Sequence, residues 1–199
     1  MPGPDDYWSS GHDHYLDPET GILRNIPHLT TETQLQAFEE TVFQAHFPEA
    51  TAYAESCEIY SLEHWKIIHG ICFSDIYDWA GEIREGVRIN KGGTVFAYPE
   101  NIESEAARLF NGLNRDLAVG TLALNTCAAY YGELNVLHPF REGNGRTQRI
   151  LFAVILKRIG YRVDYRNMNV ETLIPALIAA YHGQYTLLET LFAGITESV

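Results

Sequence analysis

From Thr31 the apolar residues Leu35, Phe38, Val42 and Phe43 recur at spacings of three and four, which is the period of one helix face, and Pro48 is expected to end that run. A second amphipathic helix is predicted to start at Ser61-Leu62-Glu63-His64. It runs through Trp65, Ile68, Ile71, Cys72, Ile76 and Trp79 to Gly81. The period then shortens to that of a strand. Val87 and Ile89 lie on one side of Asn90-Lys91-Gly92-Gly93, and Val95 and Phe96 on the other, which predicts a small hairpin about a Gly-rich turn. It is the only strand pair that the pattern supports. Pro99 closes it, and Ile102, Ala106, Leu109, Phe110 and Leu113 restart a helix that runs toward Asn114. Further helices are predicted over Leu122 to Leu137, Thr147 to Ile159, Val170 to Tyr181 and Tyr185 to Phe192. The Thr147 to Ile159 helix is apolar almost all round, so it belongs in the middle of a bundle, with Gly160 as its C-cap.

The first thirty residues read differently. Gly11, Asp13, Asp17-Pro18 and Thr20-Gly21 break any regular element, and Tyr7, Trp8, Tyr15, Leu16, Ile22 and Leu23 serve as apolar anchors. The expected organisation is a tail and turn segment over 1–30 and one mainly α domain over 31–199. No internal repeat, low-complexity segment or linker interrupts it.

Composition supports a single globular domain: 199 residues, 46% hydrophobic and 20% charged. Fourteen Lys and Arg against twenty-six Asp and Glu leave a net charge of −12. Such a chain is a poor general binder of nucleic acid or of an anionic membrane, so neither is expected as a partner. Cys57, Cys72 and Cys127 are odd in number and lack CxxC spacing, which argues against a disulfide framework or a zinc site. His12 and His14 form a pair with no further ligands nearby, and His64 and His69 read as structural histidines on the second helix. The opening residues lack the features of a secretory signal, and the longest apolar run, Ile150 to Leu156, is too short to span a bilayer. A cytoplasmic location is the expectation.

The chemistry is concentrated in the loop between the two most apolar helices, His138-Pro139-Phe140-Arg141-Glu142-Gly143-Asn144-Gly145-Arg146-Thr147-Gln148-Arg149. Gly143, Asn144 and Gly145 permit close backbone approach, and their free N–H groups at a helix start form an anion site. Arg146 and Arg149 stand three apart, a spacing that lets two guanidinium forks reach toward several phosphates. Glu142 is a hard oxygen ligand suited to Mg²⁺, and His138 is placed to deprotonate an attacking hydroxyl. Phe140 is apolar in a polar loop and is expected to anchor it to the core.

This segment resembles the signature of Fic domain proteins, HPFx(D/E)GNGRxxR, with every defining position filled. The stretches YLDPETGILRN over 15–25 and DIYDWAGEI over 75–83, the hairpin with Phe96-Ala97, and the helix order extend the likeness over roughly 15–192. The resemblance implies a Fic fold: a single helical bundle with a central helix-loop-helix motif and an inserted β-hairpin flap. It also implies transfer of AMP from ATP to a protein Ser, Thr or Tyr hydroxyl. His138 would be the base, Glu142 the Mg²⁺ ligand, and Gly143, Asn144, Gly145, Arg146 and Arg149 the phosphate site, with Arg146 on the γ-phosphate. Gly145, where a kinase-like variant carries Lys, favours AMP transfer. Val87, Arg88, Ile89, Asn90, Lys91, Thr94, Val95 and Phe96 would form the flap that aligns an extended target by strand addition.

The family's inhibitory motif, (S/T)xxxE(G/N), has no copy in this sequence. The residues four before Glu85, Glu100 and Glu142 are Gly81, Phe96 and His138. Its absence resembles the group in which a small antitoxin supplies the inhibitory glutamate, here to Arg149. The stripe of Leu35, Phe38 and Val42 is a candidate docking surface for that partner. In that group the targets are the ATPase subunits of DNA gyrase and topoisomerase IV. The alternatives weighed against it are a host-directed effector modifying small GTPases, transfer of UMP or phosphocholine, and a non-catalytic binding module.

Overall fold

The structure, a computed structural model, describes residues 13–91 and 94–199. Tyr7, Trp8, His12 and the predicted Gly92-Gly93 turn lie outside the described residues. Seven helices among the described residues carry the fold: α1 (Glu32–Ser56), α2 (Leu62–Phe73), α3 (Pro99–Val119), α4 (Leu124–Leu137), α5 (Asn144–Arg158), α6 (Val170–Tyr181) and α7 (Thr186–Ile195). The fold is mainly α, as the periodicity predicts. α5 packs against α1, α2 and α4, and its Leu151, Phe152, Ile155 and Leu156 are fully enclosed. Its all-round apolarity has that central position as its cause. Gly160 follows it at φ +83°, the left-handed conformation that suits a helix end. No helix among the described residues is long and apolar enough to cross a membrane.

Four sequence expectations are corrected. Pro48 does not end the first helix but lies inside α1, which continues to Ser56. An interior proline forfeits a hydrogen bond at a cost of about 3 kcal/mol. The buried Ala50 and Ala54 keep the next two turns docked in the core and override that local preference. α2 ends at Phe73 rather than near Gly81, and the chain tightens into turns there, with the Ile76 amide donating three residues back to the Phe73 carbonyl. The stripe of Leu35, Phe38 and Val42 belongs to the core: Leu35 and Val42 are buried and Phe38 packs against them, so it is no docking surface.

The fourth correction concerns the strands. The flap hairpin pairs β1 (Asn90–Lys91) with β2 (Thr94–Val95), with Asn90 opposite Val95 and Lys91 opposite Thr94. A second antiparallel ribbon joins β3 (Tyr161–Val163) to β4 (Thr196–Ser198). Three-residue strands are too short to display alternation, so periodicity missed them.

Two buried polar contacts tie the outer helices to α5 and its preceding loop. Glu39 stands on the apolar face of α1 between Leu35 and Val42. Its carboxylate accepts hydrogen bonds from the Tyr77 hydroxyl and from Nη2 of Arg146, the latter at 2.6 Å. Burial would lower the Arg146 pKa, but Glu39 and then Glu142 more than offset it, so the guanidinium is held above its ordinary value. Removing the carboxylate leaves that cation largely unpaired. Glu39→Ala is therefore expected to cost about 3 kcal/mol in urea unfolding, the range for breaking one side of a buried pair.

His69 on α2 is fully buried. Its Nδ1 accepts from the Gly81 amide at 2.8 Å, so Nε2 carries the proton and donates to the Glu142 carbonyl at 2.9 Å. Burial pushes its pKa down from 6.5 to about 3. The unfolded chain therefore binds a proton below pH 6.5 that the folded chain refuses until near pH 3. Stability contributed by neutral His69 falls as pH drops through that window, by up to about 1.4 kcal/mol per pH unit. Urea melts at pH 7, 6 and 5 should show this slope in the wild type and a flatter one in His69→Gln.

Candidate active site

α4 cannot continue past Leu137, because Pro139 follows His138 and disfavours a right-handed helical conformation at the residue before it. His138 turns left-handed instead, at φ 43° and ψ 58°. That conformation is uncommon for a residue with a Cβ, and the surroundings hold it there. Nε of Arg84 donates to its carbonyl at 2.8 Å, and its imidazole stacks on Phe96 with ring centres 3.9 Å apart and planes inclined by 17°. The predicted base thus sits directly against the flap.

Beyond His138 the loop is fixed by its own residues and by α2. The Asn144 side chain accepts from the Phe140 amide at 2.9 Å and donates to the Phe140 carbonyl at 2.8 Å, which closes a ring across the turn. Phe140 is fully buried, stacked on His69 at 4.0 Å and edge-on to Trp65 at 5.7 Å. Nε1 of Trp65 donates to the Thr147 hydroxyl at 2.9 Å, pinning the first turn of α5. Gly143 has φ +80°, and a Cβ there would stand 2.5 Å from the Phe73 ring. Both its backbone and its neighbours demand glycine.

The first backbone hydrogen bond of α5 runs from the Thr147 amide to the Gly143 carbonyl. The amides of Asn144, Gly145 and Arg146 precede it, and no side chain caps this end. The positive end of a central helix is therefore presented beside Gly145, around which a Cβ would meet only Nη1 of Arg149, at 3.8 Å. Glu142 borders the same end. Its Oε1 accepts from the Gly143 amide at 2.8 Å, while its side chain stays 28% exposed.

The two arginines diverge. Arg146 leans over the Phe73 ring at 4.7 Å toward Glu39. Arg149 lies on the other side, near Gly145, where its charge is felt by Tyr131 and Tyr165. It makes no hydrogen bond or ion pair among the described residues. Arg141 forms a buried pair with Asp13 at 2.9 Å, which straps the N-terminal turns over the loop. A cleft of about 270 Å³ opens beside Glu142, lined by Leu16, Leu23, Leu35, Glu39 and Arg141.

Among the predicted flap residues, Val87, Ile89, Thr94 and Phe96 are buried, and Val87, Ile89 and Phe96 cluster with Tyr15. Val95 and Arg88 face outward, and the Arg88 guanidinium lies 4.3 Å over Tyr98. Asn90 and Lys91 form β1 at the tip. Sequence reasoning gave no role at the site to Arg84, Glu39, Tyr77 or Asp13. Of these only Glu39 left a signal, a charge on an otherwise apolar helix face.

The family model described as Fic/DOC matches residues 59–156. Protein adenylyltransferase VbhT of Bartonella schoenbuchensis is 35% identical over 196 residues, 92% of this chain, which spans only 39% of that relative's length. The probable protein adenylyltransferase Fic of Escherichia coli is 32% identical over 198 residues, 96% of each chain. The crystal structure of BepC from Bartonella tribocorum with bound AMPPNP superposes with a TM-score of 0.80. It is 23% identical and covers 93% of this chain and 97% of its own, a likeness of fold. With its loop, its helix order and relatives of its own length in agreement, the chain belongs to the Fic/DOC family.

Proposed function

We propose that this Fic-type nucleotidyltransferase moves AMP from ATP to a Ser, Thr or Tyr hydroxyl of a target protein. The observation that carries this reading is the single loop with the left-handed His138 at one end and an uncapped helix N-terminus at the other. His138 takes the proton of the target hydroxyl. The freed oxygen attacks the α-phosphorus, the bond from that phosphorus to the bridging oxygen breaks, and pyrophosphate leaves. The amides of Asn144, Gly145 and Arg146 receive phosphate oxygens, and Arg149 and Arg146 hold the β/γ end. Open room beside Gly145 suits the approach of the phosphate chain.

Glu142 would hold Mg²⁺. A partly exposed carboxylate, with no cluster of three metal-binding side chains among the described residues, fits an ion that shares its shell with phosphate oxygens and water. When bound, the ion would draw negative charge from the phosphates. The flap, Val87 to Phe96, would receive the target as an added strand.

Two finer statements rest on the resemblance. An antitoxin glutamate in trans would reach Arg149, and the lack of an ion pair at Arg149 among the described residues, against the pairing of Arg146 with Glu39, supports that choice. The ATPase subunits of DNA gyrase and topoisomerase IV are the proposed targets.

The test incubates purified protein with Mg²⁺, α-³²P-ATP and bacterial lysate. Protein-bound label is expected from α- but not γ-labelled ATP, and UTP or CDP-choline labelling instead would replace AMP as the group transferred. His138→Ala should lose at least about 100-fold in labelling while remaining folded, the scale of a missing general base. EDTA should abolish labelling, and added Mg²⁺ should restore it.

A further inference from the structure

Arg84 is 1% exposed, and among the described residues its side chain donates to backbone carbonyls of three separate segments. Nη1 donates to Val87 at 2.6 Å, on the segment leading into the hairpin. Nη2 donates to Ala97, on the segment leaving it, and to Leu137 at 3.4 Å. Nε donates to His138 at 2.8 Å. The main chain takes part as well: the Arg84 amide donates to Pro139 at 2.8 Å, and the Ala97 amide donates to Val136 at 2.9 Å. No carboxylate pairs with the guanidinium among the described residues. A cation set against the last carbonyls of α4 meets the negative end of that helix, which helps to hold it there. Burial pushes its pKa down to about 10, so it stays charged at neutral pH.

We propose that Arg84 is a positioning residue that clasps both stems of the flap to the backbone of His138. The proposal rests on the AMP-transfer reading, in which the flap sets the register of the target strand and His138 takes its proton. A guanidinium has five donors in a rigid plane, which lets one side chain hold three segments at fixed separation. The Phe96 ring, delivered by the exit stem, lies on the imidazole only while that separation holds. A shift of about 1 Å between target hydroxyl and base is enough to cost 100-fold in rate. Arg84 touches neither nucleotide amides nor Glu142, so its loss should spare ATP binding.

The test compares wild type, Arg84→Lys and Arg84→Ala in the full chain. Lysine keeps the charge but not the planar fork, so it separates geometry from electrostatics. Three readouts are taken: affinity for Mg²⁺ with a non-hydrolysable ATP analogue, protein labelling from α-³²P-ATP in lysate, and NMR shifts of the His138 ring protons. Stacking on Phe96 should shift those protons upfield in the wild type. Arg84→Lys is expected to bind the analogue within twofold of wild type, to label at least tenfold less, and to lose most of the upfield shift. Methylguanidinium should restore part of both in a folded Arg84→Ala. Wild-type ring shifts and labelling in Arg84→Lys would overturn the clasp. A wild type that binds the analogue but labels nothing would dismiss AMP transfer, and the ring shifts would still decide the clasp.

Discussion

The hydrogen bond from buried, neutral His69 to the carbonyl of Glu142 is the contact around which the rest of the site is arranged. A loop without regular structure cannot be enclosed among helices unless side chains answer its backbone groups. Here His69 answers Glu142, Asn144 answers both polar groups of Phe140, and Arg84 answers His138. Because His69 is held in turn by the Gly81 amide, its ring has one tautomer and one direction. The loop is thereby held at its backbone from α2, from Arg84 and from Asn144, directly before the uncapped end of α5.

Anchoring of this kind suits chemistry in which the protein contributes position and charge. The three helix-start amides are oriented before any ligand arrives, so no reorganisation is spent on aiming them. The chain's net charge of −12 makes this local positive end the more distinct.

The sequence made the helical plan legible wherever an element was long and its burial one-sided or complete. Val170 to Tyr181 matches α6 residue for residue, and the apolarity of α5 announced its central place. Elements failed where a local rule met tertiary packing, as at Pro48, or where they were too short to carry a period, as in β3 and β4. The loop from His138 to Arg149 was readable because its chemistry is contiguous. Its supports were not, since His69, Arg84 and Glu39 reach it across 73, 54 and 107 positions of sequence. His69 was expected to be structural, and its contact with Glu142 shows what it structures.

The close approach of Phe73 to Gly143 also restrains how such a chain can evolve. Any side chain at 143 requires a smaller residue at 73, yet the face of Phe73 is where the Arg146 guanidinium lies, at 4.7 Å. Shrinking the ring to admit a larger residue would remove the nearer of the arginine's two aromatic neighbours and leave it only the more distant Phe43, at 5.8 Å. Positions 39, 73, 143 and 146 are therefore coupled: a change at one alters what the others can accommodate, so substitutions among them should not combine additively.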